Sequence, residues 1–119
     1  MDEQYEFLTW EQFDKDCKKI YQWAEKEGFQ SIYGPPRGGL VLGVKLSHML
    51  KIPLMISKDD VTPHTLIVDD ISDTGKTLKN FEQIGCKIAT LYYHKQSKVI
   101  PDFWIHEKTN KYIKYPWEI

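Results

Sequence analysis

An α/β fold, a mainly parallel sheet covered by helices, is what this sequence of 119 residues predicts. Three observations carry the prediction. Short apolar runs alternate with stretches of helical periodicity. The runs are nearly continuous, as in strands buried on both faces, rather than alternating as in a sheet with one wet face. Glycine-bearing turns then lead from two of those runs into helices.

Taken in order, the first element is a helix. Thr9 is a good N-cap and Gln12, three residues on, completes a capping box. Trp10, Phe13, Cys17, Ile20, Tyr21 and Ala24 recur at helical spacing as a core stripe, and Gly28 is a natural stop. "QSIYG" is a short buried strand ending in the turn Gly34-Pro35-Pro36, and "GGLVLGVKLSHMLK" is a second helix. "IPLMIS" reads as the second strand, "KDDVTP" as a polar loop and "HTLIVDD" as the third strand. "GKTLKNFEQIG" is a third helix stopped at Gly85, with Asp73 or Thr74 as its cap, and "KIATLYYH" is the fourth strand. The aromatic-rich tail from Pro101 onward reads as a short strand and an ordered loop. No repeat or linker divides the chain, and its length suits one domain over residues 1–119.

Composition narrows the function classes. Sixteen basic residues against 17 acidic ones, for a net charge of -1, give no electrostatic case for a nucleic-acid partner. The two cysteines, Cys17 and Cys86, read as reduced thiols. "MDEQYEF" has neither the basic start nor the apolar run of a leader, and no segment reaches membrane-spanning length. The expectation is a soluble, cytoplasmic protein without membrane or nucleic-acid partners. His48, His64, His94 and His106 show no metal-ligand spacing and read as ordinary histidines.

In an open parallel sheet, ligands bind beyond the carboxyl ends of the strands. "GPPRGG" and "DDISDTGKT" occupy that position here. Each offers backbone N–H groups and a following helix to an anion, and two such loops in one small fold are stronger evidence than one. Arg37 adds a fork that holds phosphate oxygens in pairs. Thr74, Lys76 and Thr77 add two hydroxyls and an ammonium. "TGKT" is not a nucleoside-triphosphate loop, because that pattern needs a glycine where Asp70 stands. Asp69 and Asp70 have two physical uses. They can accept hydrogen bonds from vicinal sugar hydroxyls, or they can hold Mg²⁺ shared with a diphosphate. Either use points to a sugar phosphate.

"TLIVDDISDTGKT" resembles the phosphoribosyl-pyrophosphate (PRPP) motif of the type I phosphoribosyltransferases, and the likeness extends toward the bacterial xanthine-guanine enzymes. "LTWEQFDKDCKKI" is similar to their N-terminal helix, "PRGGLVLGVKLSHML" to their pyrophosphate loop and helix, and "YIKYPWE" to their purine-binding hood. The resemblance implies a Rossmann-like, mainly parallel sheet flanked by helices, with a small C-terminal hood over residues 98–119. It implies a purine phosphoribosyltransferase acting on a 6-oxopurine (guanine, xanthine or hypoxanthine) with Mg²⁺, as a homodimer or higher homo-oligomer. By the same resemblance, Asp69 and Asp70 would bind the ribose hydroxyls with Mg²⁺ alongside. Thr74, Gly75, Lys76 and Thr77 would cradle the 5′-phosphate, and Arg37 and Gly38 the pyrophosphate, with a Pro36–Arg37 bond that is often cis in relatives. Asp73 would serve as proton acceptor near N7 of the purine. Lys95 would donate to the oxygen at C6, Tyr112 would stack on the base, and Ile113 would contact its other edge. One departure stands out. The family's long mobile loop before the third strand is reduced to "SKDDVTPH", which weakens water exclusion. That leaves a PRPP- or nucleotide-binding module without turnover as the alternative, with a lid supplied by a partner subunit between the two.

Overall fold

The computed structural model describes residues 4–118. Residues 1–3, which open the segment read for a leader, and residue 119 lie outside the described residues. In chain order the elements are β1 (Tyr5–Phe7), α1 (Trp10–Ala24), β2 (Ser31–Tyr33), α2 (Leu40–Leu50), β3 (Thr65–Ser72), α3 (Lys79–Ile84), β4 (Ile88–Tyr93), β5 (Phe103–Glu107) and β6 (Tyr112–Lys114). The main sheet has the order β2-β3-β4-β5, and every pair in it is parallel. β3 is its longest strand, and Thr65, Leu66, Ile67, Val68 and Asp69 are all buried, which is why the run reads as continuously apolar. No helix among the described residues is long and apolar enough to cross a membrane.

Local structure departs from the sequence reading at several places. "IPLMIS" makes a single parallel bridge, Leu54 to Ile32, rather than a strand. Pro53 has no N–H to give to a ladder, and although Ile52 and Leu54 pack against the core, Ile56 is 84% exposed, so the run does not continue as a strand. The third helix is confined to Lys79–Ile84, because Gly75 sits at φ +87° and the residues after it form a turn. Neither Asp73 nor Thr74 caps it; Leu78 stands at that position without a side-chain cap. The tail holds two strands, β5 extending the main sheet and β6 pairing with β1. Finally, Trp10 is 52% exposed, so the stripe of α1 runs instead through Phe13, Asp16, Cys17, Ile20 and Ala24.

Asp16 is the surprise in that stripe. Thr9 caps α1 by accepting from the Gln12 N–H at 3.0 Å, but the Gln12 side chain does not return to close the box. It donates instead to Asp16 Oδ1 at 2.8 Å, and His106 Nε2 of β5 meets Asp16 Oδ2 at 2.7 Å. A fully buried carboxylate is tolerable only with such partners. Asp16→Ala is expected to cost about 3 kcal/mol, since it strands Gln12 and His106 and leaves a void. Urea unfolding would check this, and a loss below about 1 kcal/mol would show that the network contributes little.

Candidate active site at the β3 and β2 strand ends

β3 takes in the acidic pair, as expected, and runs two residues further, to Ser72. Ser72 anchors the end of the strand, its hydroxyl donating to the Val99 carbonyl at 2.8 Å and lying 2.7 Å from the Ser97 hydroxyl. Each acid folds onto the next backbone amide. Asp69 Oδ1 accepts from the Asp70 N–H at 2.9 Å, and Asp70 Oδ1 from the Ile71 N–H at 2.8 Å. Burial, and after it the neighbouring Asp70 charge, pushes the Asp69 carboxyl up to about 8. Burial likewise raises Asp70. Two carboxylates side by side in a poorly solvated place favour keeping a proton between them.

The first loop meets this pair directly. A Cβ on Gly38 would lie 2.6 Å from Asp70 Oδ2, so a larger residue would have to displace the carboxylate that the glycine backbone approaches. The Pro36–Arg37 peptide bond is cis. Past the acids the chain bends through Asp73 and Thr74 to Gly75, whose positive φ excludes most side chains. A Cβ at Gly75 would also stand 2.8 Å from the Val99 amide nitrogen. Thr74 Oγ1 accepts from the Lys76 N–H at 3.2 Å, and the Lys98 N–H donates to the Thr74 carbonyl at 3.0 Å. The loop is thus held internally and by the 98–99 segment.

A cleft of about 290 Å³ opens between the loops, lined by Pro35, Pro36 and Gly38 from the first and by residues 69–78 from the second. Seven of the expected site residues therefore line the cleft together with Gly38: Asp69, Asp70, Asp73, Thr74, Gly75, Lys76 and Thr77. Arg37 is exposed on the neighbouring turn and does not line the cleft. Lys95 stands apart as well, its side chain 79% exposed and its ammonium 3.3 Å from Glu107. Tyr112 is 68% exposed on β6, with its ring 6.2 Å from that of Tyr5, while Ile113 packs against the core. Trp117 is a packing residue. It stacks on Tyr115 at 5.1 Å and meets Phe13 edge-on at 5.3 Å. "SKDDVTPH" contains an exposed 3₁₀ turn, Lys58–Asp60, capped by Ser57.

Two features beside the cleft-lining acids were not legible from residue spacing. His94 Nδ1 lies 2.7 Å from Asp73 Oδ1. Tyr115 buries its hydroxyl without a hydrogen-bond partner among the described residues, and burial, with the Asp70 charge second, raises it. Neither residue falls in a spacing pattern of its own, so only the register of distant segments discloses them.

A divalent cation fits the donor set at the acidic pair. The pair must keep a proton when no positive charge is near, and a cation would supply that charge. Among the described residues no group of three or more His, Cys, Asp or Glu side chains could form a protein-only cage. The two carboxylates suit an ion that completes its shell with ligand oxygens and water, as Mg²⁺ does.

No protein-family model matches the chain. A purine phosphoribosyltransferase from Pyrococcus horikoshii superposes with a TM-score of 0.86 at 31% identity, over 98% of this chain and 95% of the other. Xanthine-guanine phosphoribosyltransferases from Desulfotalea psychrophila and Chromohalobacter salexigens are 25% and 22% identical. Those two alignments cover 93% and 94% of this chain and 84% and 83% of the relatives. The likeness to the Pyrococcus protein spans nearly the whole of both chains, and the cleft is built from the very loops that carry the PRPP-motif resemblance. The chain belongs to the type I phosphoribosyltransferases, a family of transferase enzymes.

Proposed function

We propose that the chain transfers the phosphoribosyl group of PRPP to a 6-oxopurine, releasing pyrophosphate. The observation that carries this reading is the convergence of Asp69, Asp70, Asp73, Gly38 and the 74–77 loop on one cleft. Its sugar end suits vicinal hydroxyls, which would donate to Asp69 and Asp70. Its backbone amides and the Thr74 and Thr77 hydroxyls suit a terminal phosphate. Arg37 would swing from its exposed turn onto the pyrophosphate, with Gly38 giving that group close access to the backbone. Asp69 and Asp70 would hold Mg²⁺, which when bound screens the diphosphate and stabilises the leaving group's charge.

The reaction makes the sugar oxocarbenium-like as pyrophosphate departs, so dipoles fixed beforehand around both charges lower the barrier. Asp73 would take the proton from the incoming purine, acting near its N7. Lys95 would leave Glu107 and donate to the oxygen at C6, favouring oxopurines over adenine. Tyr112 would stack on the base and Ile113 would contact its other edge, the hood of residues 98–119 serving the base as one domain with the rest of residues 1–119. Substrate capture requires the Lys95 and Tyr112 side chains to move toward the cleft. Lys95→Ala is expected to raise the KM for guanine about tenfold and the KM for PRPP less than about twofold. Equal effects on both substrates would remove Lys95 from base recognition.

The exposed Lys58–Asp60 turn, where a long loop would otherwise cover the reacting groups, favours a second reading. In it the chain binds PRPP or a purine nucleotide without turning it over. Calorimetry with PRPP and Mg²⁺ beside a turnover assay separates the two, since only the transferase also consumes its ligand.

A further inference from the structure

From the contact at the cleft wall we infer that His94 is the positioning residue for Asp73 in the transfer step, an inference that rests on the transferase reading above. The sheet itself brings the two together. Ser72 of β3 pairs with Tyr93 of β4, and the His94 N–H donates to the Ser72 carbonyl at 3.0 Å. The residues following those partners, Asp73 and His94, are therefore neighbours in space. The His94 carbonyl accepts from the Ser97 N–H at 2.9 Å, so both backbone groups of the histidine are fixed. Its ring, 25% exposed, places Nδ1 at 2.7 Å from Asp73 Oδ1.

An ionised carboxylate can only accept, so Nδ1 carries the hydrogen and Nε2 the lone pair in the neutral ring. That donor is what Asp73 needs. Asp73 sits on a bend with its side chain 47% exposed, and His94 is its only side-chain hydrogen-bond partner among the described residues. Without the imidazole the carboxylate would spread over several rotamers, and a base acts only within hydrogen-bond reach of its proton. Holding Oδ1 leaves Oδ2 to take the proton. In the step, the purine N–H bond breaks and its proton passes to Asp73 while the C1′–N bond forms. The C1′–O bond to pyrophosphate breaks, and its electron pair leaves with pyrophosphate. His94 touches none of the reacting atoms and acts through Asp73.

The test is steady-state kinetics of nucleotide formation for His94→Ala, His94→Asn and Asp73→Asn/His94→Ala, with thermal midpoints recorded alongside. His94→Ala is expected to lower kcat about tenfold or more with the KM for PRPP within about twofold. His94→Asn, whose amide nitrogen can donate from roughly the place of Nδ1, is expected to recover kcat to within about threefold of the parent. In an Asp73→Asn background, His94→Ala is expected to have no further effect, because the two act as a unit. A parental kcat in His94→Ala overturns the inference, as does an equal loss in the Asp73→Asn background, which marks a purely structural role. If the parent chain forms no nucleotide from any base, the transferase reading fails and this inference with it. If the parent turns over and His94→Ala matches it, the inference alone fails.

Discussion

Asp73→Asn is expected to lower kcat for nucleotide formation by about 100-fold and to leave the KM for PRPP within about twofold. The substitution keeps the shape of the side chain and keeps an oxygen that can accept from His94 Nδ1, now 2.7 Å away. What it removes is the capacity to take a proton. The loss should therefore fall on the chemical step rather than on capture of the sugar phosphate, which engages Asp69, Asp70 and the 74–77 loop. Calorimetric PRPP affinity and kcat measured on the same preparation would check this. An unchanged kcat would remove Asp73 from the mechanism, whereas a large loss of PRPP affinity would make it a binding residue.

Asp69→Asn should pull stability and activity in opposite directions. In the ligand-free fold, burial and the adjacent Asp70 push the Asp69 carboxyl up to about 8 from its ordinary 3.8. Between those values the folded chain binds a proton that the unfolded chain releases. Stability from this group is thus fully present below about pH 4 and is lost as pH rises toward about 8. Asparagine removes the titration. The variant should match the parent near pH 4 and exceed it at pH 8 by an amount on the order of a few kcal/mol. Its PRPP turnover should fall at least about 100-fold, because a neutral amide lacks the charge that holds a cation tightly and has one acceptor oxygen where the carboxylate has two. Thermal unfolding at both pH values without Mg²⁺, beside an activity assay, reads both effects. A variant less stable than the parent at pH 8 would contradict the electrostatic account of the pair. Sites that carry such unfavourable charge for the sake of a ligand are where stability and activity trade off.

The parts that were legible in the sequence are those whose signal is local. Residues 65–77 hold a buried apolar run, two acids and a glycine turn in one continuous stretch, so strand, carboxylates and anion loop could be read together. The parallel sheet followed from the same kind of run at Ile32, Ile67 and Ala89. Signals that depend on distant partners were silent. β1 and β6 are three residues each and pair only with one another across the length of the chain. Asp16 looks like a solvated residue within an amphipathic helix until His106 of β5 is set against it. Trp10 has the right spacing for the core but meets Trp117 at the surface edge of the stripe. His94 reads as an isolated histidine because its meaning lies in the register of Ser72 with Tyr93. Lys95 and Tyr112, named from resemblance, lie outside the cleft, since a side chain's reach is set by tertiary contacts such as Lys95 with Glu107.

The most direct measurement is nucleotide and pyrophosphate formation from PRPP and Mg²⁺ with guanine, xanthine, hypoxanthine or adenine added singly. Base-dependent, stoichiometric release of nucleotide and pyrophosphate is expected with the oxopurines, and little with adenine. Tight PRPP binding with no turnover on any of the four bases would contradict the transferase reading and leave the chain a binding module built on a transferase fold.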